Sequence, residues 1–171
     1  MTPFNPKSAL RLSLVFSAFA MAGFGAVAQE APTRSDFVSD ASFVVGTYKP
    51  MASDHSPASM ATAAKAFLSA LDAEQRRLVL HDLKGEERTR WTNLPQRENG
   101  GLRLGACRPD QVRAFCDLLA ALLSEQGYQK SRDIMIADDQ LLRGGRPRTG
   151  FGVEDFYVVL FGEPSATKRT T

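Results

Sequence analysis

The sequence predicts an α+β fold: a helix-rich N-terminal layer of three or four helices beside a small, incomplete β-sheet. Apolar residues recur at helical spacing in several stretches between residues 57 and 142. The best strand pattern, residues 156–161, comes close to the end of the chain. The 171 residues, 43% of them hydrophobic and 23% charged, are enough for one ordinary globular domain and too few for two.

Residues 1–28 have the pattern of a secretory signal peptide, with a basic start that lacks acids, a short apolar run and small residues at the end. The small residues Ala26 and Ala28 suit a signal peptidase, so cleavage is expected between Ala28 and Gln29. We therefore expect a soluble bacterial protein that is periplasmic or secreted. An uncleaved anchor is the alternative, because the apolar stretch approaches the shortest length that spans a bilayer.

The positive charge of the chain belongs to this first segment. The chain has 21 Lys and Arg against 19 Asp and Glu, and Lys7 and Arg11 leave with the signal peptide. The mature chain is therefore neutral and has no electrostatic preference for nucleic acid or anionic membranes. Because no later stretch is long and apolar enough to span a bilayer, we expect no nucleic-acid partner and no stable membrane insertion after cleavage.

Three regions are expected in the mature chain. Residues 29–57 are rich in Ala, Pro, Ser, Asp and Thr, which predicts an extended leader that holds at most one short strand near Phe43. Residues 58–165 are expected to form a single, partial α+β domain. Residues 166–171 form a polar tail.

The first two helices are predicted from their N-terminal signals. Ser56 can cap a helix and Pro57 is favoured in its first turn. Asp72 and Gln75 have the spacing of a capping box, which predicts a shorter second helix that runs to residue 80. The expected apolar face of the first helix comprises Met60, Ala64, Phe67, Leu68 and Leu71.

Two further helices are predicted over residues 109–123 and 125–142, after a polar loop over residues 85–101 with room for a short strand near Trp91. The residues expected to face the core from the first of them are Val112, Phe115, Cys116, Leu119, Leu122 and Leu123. Those expected from the second are Tyr128, Ile134, Ala137 and Leu141.

Residues 156–161 read Phe-Tyr-Val-Val-Leu-Phe. A continuous apolar run of this length is typical of a central strand buried on both faces. Such a strand needs neighbours on both sides, but the upstream candidates near residues 43–48, 90–94 and 102–104 are weak, and only seven residues follow Pro164. The sheet is therefore expected to be interrupted before it is complete.

Three groups of residues occur in a distinctive order: Glu87, Arg88 and Trp91; Ser124, Gly127 and Tyr128; and Tyr157, Gly162 and Pro164. In this order they resemble a bacterial family called domain of unknown function 3500, over about residues 60–165. The resemblance assigns no role to these positions. Members typically continue into a Gly-His-His motif that this chain lacks, so the resemblance implies a truncated copy without an intact active site.

No residue pattern identifies a reaction. His55 and His81 are too few and too far apart for a zinc site, and we predict no metal site and no cofactor. Motifs of serine nucleophiles and phosphate loops are missing from the sequence. The adjacent acids Glu86-Glu87 and Asp138-Asp139 are expected on solvated faces, because neighbours in sequence point apart.

Cys107 and Cys116 could form a disulfide in an oxidising compartment. A helix that starts near residue 109 rises about 10 Å before it reaches Cys116, whereas disulfide-bonded Cα atoms lie within about 7 Å. Free thiols are therefore the preferred interpretation, with Cys116 as a small apolar core residue.

Two stretches could bind a ligand, although each has a simpler structural interpretation. Trp91, beside Arg88 and Arg90, could stack on a sugar or another ring, or could be a buried anchor for its loop. Residues 143–148, with three arginines and two glycines, could hold an anion or form an exposed basic loop.

Two functions are therefore carried forward. The first is an exported, truncated member of the unknown-function family with no intact active site. The second is a small periplasmic helical binding or interaction module without catalysis. Residues 29–171 should unfold cooperatively on their own under the second hypothesis, whereas an unfinished sheet favours aggregation or molten behaviour.

Overall fold

The computed structural model describes residues 32–90, 94, 100–143 and 150–167. The helices in these ranges are α1 (Asp40–Thr47), α2 (Pro57–Ala70), α3 (Ala73–Val79), α4 (Pro109–Leu122) and α5 (Glu125–Arg143). The strands, each of two residues, are β1 (Leu80–His81), β2 (Leu102–Arg103), β3 (Tyr157–Val158) and β4 (Leu160–Phe161). This arrangement confirms the α+β class with an incomplete sheet.

One core lies between the helices and the strands. Helix α2 packs against α4, and α1 packs against both α4 and α5. Val45, Phe67, Val79, Leu104 and Val112 are fully buried there. Residues of all five helices, together with Leu102, Val153 and Val158, contribute to one continuous cluster.

The predicted starts of α2 and α3 are confirmed by their caps. The Ser56 side chain accepts a hydrogen bond from the Ser59 backbone N–H at 3.1 Å, and Pro57 opens the helix. Asp72 accepts from the Gln75 N–H at 2.8 Å, while the Gln75 side chain accepts from the Asp72 N–H at 3.2 Å. These bonds satisfy N–H groups that have no partner within a helix.

The short strand expected within the leader is wrong, because that segment contains α1. The Ser39 side chain caps the helix by accepting a hydrogen bond from the Ser42 N–H. Val44 and Val45 are only 4% and 0% exposed. Their β-branched side chains favour strands in isolation, but packing against α4 and α5 decides their conformation.

The predicted core-facing residues of α4 and α5 need correction. On α4, Leu118 is buried while Leu122 is 48% exposed. On α5, Ile134 is 62% exposed, and Ala137 and Leu141 are exposed as well. The prediction is confirmed for Tyr128, which is buried together with Met135 and Asp139. Hydrophobicity could not indicate this face, because one of its core-facing positions is occupied by an acidic residue.

Asp139 is 3% exposed, so its expected solvated position is wrong. Its carboxylate accepts hydrogen bonds from the Ser42 hydroxyl and from the Val153 N–H, the latter at 2.9 Å. Asp139 thus joins α1 and α5 to the 3₁₀ helix Val153–Asp155. Glu86 and Glu87 are exposed, as expected.

The apolar run near the C-terminus forms two short strands rather than one, and each has one paired neighbour in its own two-stranded sheet. β3 pairs antiparallel with β2, with Leu102 opposite Val158. β4 pairs in parallel with β1, with Leu80 opposite Leu160. β2 lies at one of the weak upstream candidates, whereas β1 was expected to be the end of a helix.

Candidate functional site

Alternate residues of the C-terminal run face different surroundings. Val158 is 8% exposed and belongs to the core, and the partly buried Leu160 packs against this core. Tyr157, Val159 and Phe161 lie on the other face of the extended chain and line a cavity of about 690 Å³. The expectation of burial on both faces is therefore wrong, and we call this space the strand cavity.

One wall of the strand cavity comes from the junction of α3 and β1. Leu78, 50% exposed, and His81 both line it. The His81 ring lies 6.1 Å from the Phe161 ring, centroid to centroid. Its Nε2 is 2.9 Å from the Leu78 carbonyl oxygen, so the ring is held at the wall of the cavity by the backbone at the end of α3.

The charged rim comes from the 3₁₀ helix Glu86–Thr89 and the residue after it. Glu87, Arg88 and Arg90 line the cavity from this side. Arg90 donates to Glu86 at 3.0 Å in an exposed ion pair, an interaction that contributes little to stability. No ion-pair partner of Arg88 lies among the residues that the structure describes.

Gly101 closes another side of the cavity by approaching the strand backbone. Its φ is +120°, a conformation that side-chain-bearing residues rarely adopt. A Cβ at this position would lie 2.5 Å from Val159 Cγ2 and 2.8 Å from the Val158 carbonyl oxygen. Only glycine fits here without displacing its neighbours.

The strand cavity brings together three motif positions that are distant in sequence: Glu87, Arg88 and Tyr157. Gly162, another motif position, directly follows β4 and donates its N–H to the His81 carbonyl oxygen at 2.9 Å. Pro164 lines a smaller neighbouring pocket of about 280 Å³.

Other sequence predictions lie elsewhere. Ala26, Ala28, Gln29 and Trp91 lie outside the described residues, as does most of the basic stretch 143–148. Ser124, Gly127 and Tyr128 lie at the start of α5, where the Ser124 hydroxyl accepts from the Gly127 N–H at 3.2 Å. None of these three lines the strand cavity.

Cys107 and Cys116 are free cysteines. Cys116 packs in the core, and burial raises the pKa of each thiol to about 11. At neutral pH both are therefore protonated and poorly nucleophilic.

The cavity has an apolar floor, formed by Tyr157, Val159 and Phe161, and a rim that carries one glutamate and two arginines, Glu87, Arg88 and Arg90. No group of three His, Cys, Asp or Glu side chains that could hold a metal occurs in the described part of the chain. None of the helices placed in the structure is long and apolar enough to cross a membrane. The chemistry of these lining residues is that of a surface that can bind a small molecule.

A family model described as "Protein of unknown function (DUF3500)" matches residues 53–170. No curated protein and no solved structure matches the chain.

Proposed function

The chain belongs to the DUF3500 family of proteins of unknown function, and we propose that it is an exported binding protein whose strand cavity takes a small ligand with an apolar ring. The observation that carries the proposal is the face formed by Tyr157, Val159 and Phe161, which lines the cavity instead of packing against the core. The sequence makes both faces of this run apolar, which is typical of a strand covered on both sides.

The size of the cavity supports a small ligand rather than a macromolecule. Its volume of about 690 Å³ lies within the range of about 300–1,000 Å³ that is usual for small-molecule sites. Full burial of an aromatic or branched apolar side chain contributes about 1.5–3 kcal/mol. A ligand that covers the half-buried floor therefore gains a substantial part of its binding free energy there.

The rim supports a ligand that carries a hydrogen-bond acceptor next to its ring. The Arg88 guanidinium has five N–H donors and no acceptor. A ligand whose acceptor group lies beside Arg88 therefore receives hydrogen bonds from the guanidinium, and these bonds fix the orientation of the ligand's ring above the floor.

Binding is tested by titrating the purified protein with N-phenyl-1-naphthylamine, a neutral apolar probe that fluoresces in apolar sites. We expect the fluorescence to saturate as probe is added. Tyr157→Ser should lower the affinity for the probe about tenfold, because about 1.4 kcal/mol of apolar contact is lost. Val159→Thr keeps the side-chain shape and should weaken binding severalfold.

The matched control is Ile134→Ser, which changes an exposed apolar residue on the outer face of α5. It should leave the affinity unchanged. Equal affinities of all variants, or no saturable signal from the wild-type protein, would contradict the proposal.

Export is supported by the basic start, apolar run and Ala-Val-Ala sequence of residues 1–28. The full-length gene product should be recovered from the periplasm or medium of a bacterial host with Gln29 as its first residue. An intact mass that still includes Met1–Ala28 would overturn this part of the proposal.

Truncation of the family's C-terminal part stays a prediction. The test is to read the downstream DNA in all frames for a Gly-His-His motif. Its absence from every frame would count against truncation.

A further inference from the structure

The roles of the two ring nitrogens of His81 are fixed by one hydrogen bond. Nε2 lies 2.9 Å from the Leu78 carbonyl oxygen. A carbonyl oxygen can only accept a hydrogen bond, so Nε2 is the nitrogen that carries the proton. The other nitrogen of a neutral imidazole is an acceptor. Nδ1 of His81 therefore has a lone pair to offer.

This lone pair is open to a ligand of the strand cavity. In the ranges that the structure describes, Nδ1 has no hydrogen-bond partner, and it is accessible to solvent. The half-buried ring that carries it lines the cavity, 6.1 Å from the Phe161 ring. An accessible acceptor thus lies beside the apolar floor.

The charges around the cavity do not select an ion. Residues 82–90, from which the rim comes, contain three acids and three bases: Asp82, Glu86 and Glu87 against Lys84, Arg88 and Arg90. Arg103 lies opposite Tyr157 in the strand pair. Its guanidinium is already paired with Asp155 at 2.6 Å and with Glu154 at 3.3 Å. A charged ligand therefore gains little from the surrounding charge, whereas burying its own charge is costly.

The acceptor at Nδ1 selects a ligand that carries a donor. A carboxylate or an ether oxygen offers only lone pairs, so neither can bond to Nδ1. An aromatic hydroxyl donates through its O–H and keeps lone pairs on the same oxygen. These lone pairs suit the acceptor role that the proposed function places beside Arg88. A phenol is therefore the simplest ring that meets both requirements.

We propose that the ligand of the strand cavity is a phenol, a neutral aromatic ring whose hydroxyl donates a hydrogen bond to His81 Nδ1. The ring lies against Tyr157, Val159 and Phe161, which line the cavity. This inference rests on the proposed function, because it names the ligand class of the same cavity. His81 is thus the residue that determines specificity.

The test is calorimetric titration of the purified protein at about pH 8, where histidine side chains are ordinarily neutral. The three ligands share one apolar body: 4-ethylphenol, 4-ethylanisole and 4-ethylbenzoate. The phenol should bind about fivefold more tightly than either of the other two, which is the usual contribution of one hydrogen bond.

His81→Phe removes Nδ1 but keeps an aromatic ring beside Phe161, and phenylalanine suits a strand position. The preference for the phenol over the anisole should disappear in this variant, while the affinity for the anisole stays within about twofold of the wild type. A merely structural role of His81 would weaken the binding of both ligands alike, and that result would contradict the inference.

His55→Asn is the matched control. His55 lines a different cavity, and asparagine tolerates its positive φ of 55°. The preference for the phenol should be the same in this variant as in the wild type.

A second readout needs no variant. In ¹⁵N-labelled wild-type protein, the Nδ1 resonance of His81 should move upfield when 4-ethylphenol binds, because the lone pair gains a hydrogen bond. It should stay in place when 4-ethylanisole binds. An unchanged Nδ1 resonance with bound phenol would overturn the inference.

Equal affinities for the phenol and the anisole, tighter binding of the benzoate, or a preference that His81→Phe retains would also overturn it. If N-phenyl-1-naphthylamine still binds saturably in any of these cases, the proposed function stands and only the ligand class is wrong. If neither this probe nor any of the three ligands binds, the proposed function fails as well.

Discussion

At the scale of single residues, Asp139 shows both the reach and the limit of sequence reasoning. The rule that sequence neighbours point apart on a helix is correct for Asp138 and Asp139, since Asp139 alone is buried. Which of the two faces the core depends on how α5 is rotated against α1. That rotation is fixed by tertiary packing and leaves no local signal.

Asp139→Ala should destabilise the protein by about 3 kcal/mol, because it leaves the buried Ser42 hydroxyl and Val153 N–H without their acceptor. Asp139→Asn should cost less, since its amide oxygen can still accept from Val153. Urea unfolding measures both. Asp133→Ala, at an exposed position on the same helix, should stay within about 0.5 kcal/mol of the wild type; equal losses at both positions would refute the role of Asp139.

Gly101→Ala should destabilise the protein by about 2 kcal/mol, because the positive φ and the contact with the strand backbone both disfavour a Cβ. Gly100 is the matched control: a Cβ there would meet no atom of the described residues within 4 Å. Gly100→Ala should therefore leave the free energy of unfolding nearly unchanged. Thermal unfolding of the two variants side by side checks this, and similar losses would contradict the close approach of Gly101.

At the scale of elements, the sequence predicted the helix starts that are determined by local capping residues and prolines. The caps at Ser56 and Asp72 and the helix-starting Pro109 located α2, α3 and α4. α1 was not predicted, because its Phe-Val-Val run resembles a strand until α4 and α5 pack against it. β1 was not predicted either, since a strand of two residues has no periodicity to detect.

The ends of three helices meet at Gln111, which is fully buried. Its amide donates to the Ala70 carbonyl oxygen at 2.9 Å and exchanges hydrogen bonds with the Gln75 side chain, at 2.6 and 3.1 Å. Its oxygen also accepts from the Arg108 N–H at 2.8 Å. The end of α2 and the starts of α3 and α4 are thereby joined by one side chain.

Gln111→Met keeps the volume of the side chain but removes these hydrogen bonds, and it should destabilise the protein by about 2 kcal/mol. Gln129→Met, at an exposed position on α5, is the control and should have almost no effect. Both are measured by urea unfolding. A neutral result for Gln111→Met would mean that the junction is stabilised by apolar packing alone.

At the scale of the whole molecule, the α+β class and the incomplete sheet could be predicted, because helical periodicity dominates and only one stretch is strongly β-favouring. The strand cavity could not be predicted from the sequence. Residues 157–161 are apolar at every position, so the sequence does not show which of them face the core and which face the cavity, and only the structure separates the two sets.

The core that joins α1–α4 to the C-terminal strands predicts cooperative unfolding of residues 29–171. Far-UV and near-UV circular dichroism should report coincident, single urea transitions. Loss of the near-UV signal before the far-UV signal, with binding of an apolar dye, would indicate a molten state and would favour an unfinished fold over a binding module.

The most direct test of the central claim is to map the binding of N-phenyl-1-naphthylamine by ¹H–¹⁵N NMR of the purified protein. The strand cavity predicts that saturating probe shifts amide signals of residues 78–81, 86–90, 100–101 and 157–161, and leaves those of α5 unchanged. Shifts confined to α4 and α5, or no specific shifts at all, would contradict the claim that this apolar face is a ligand site.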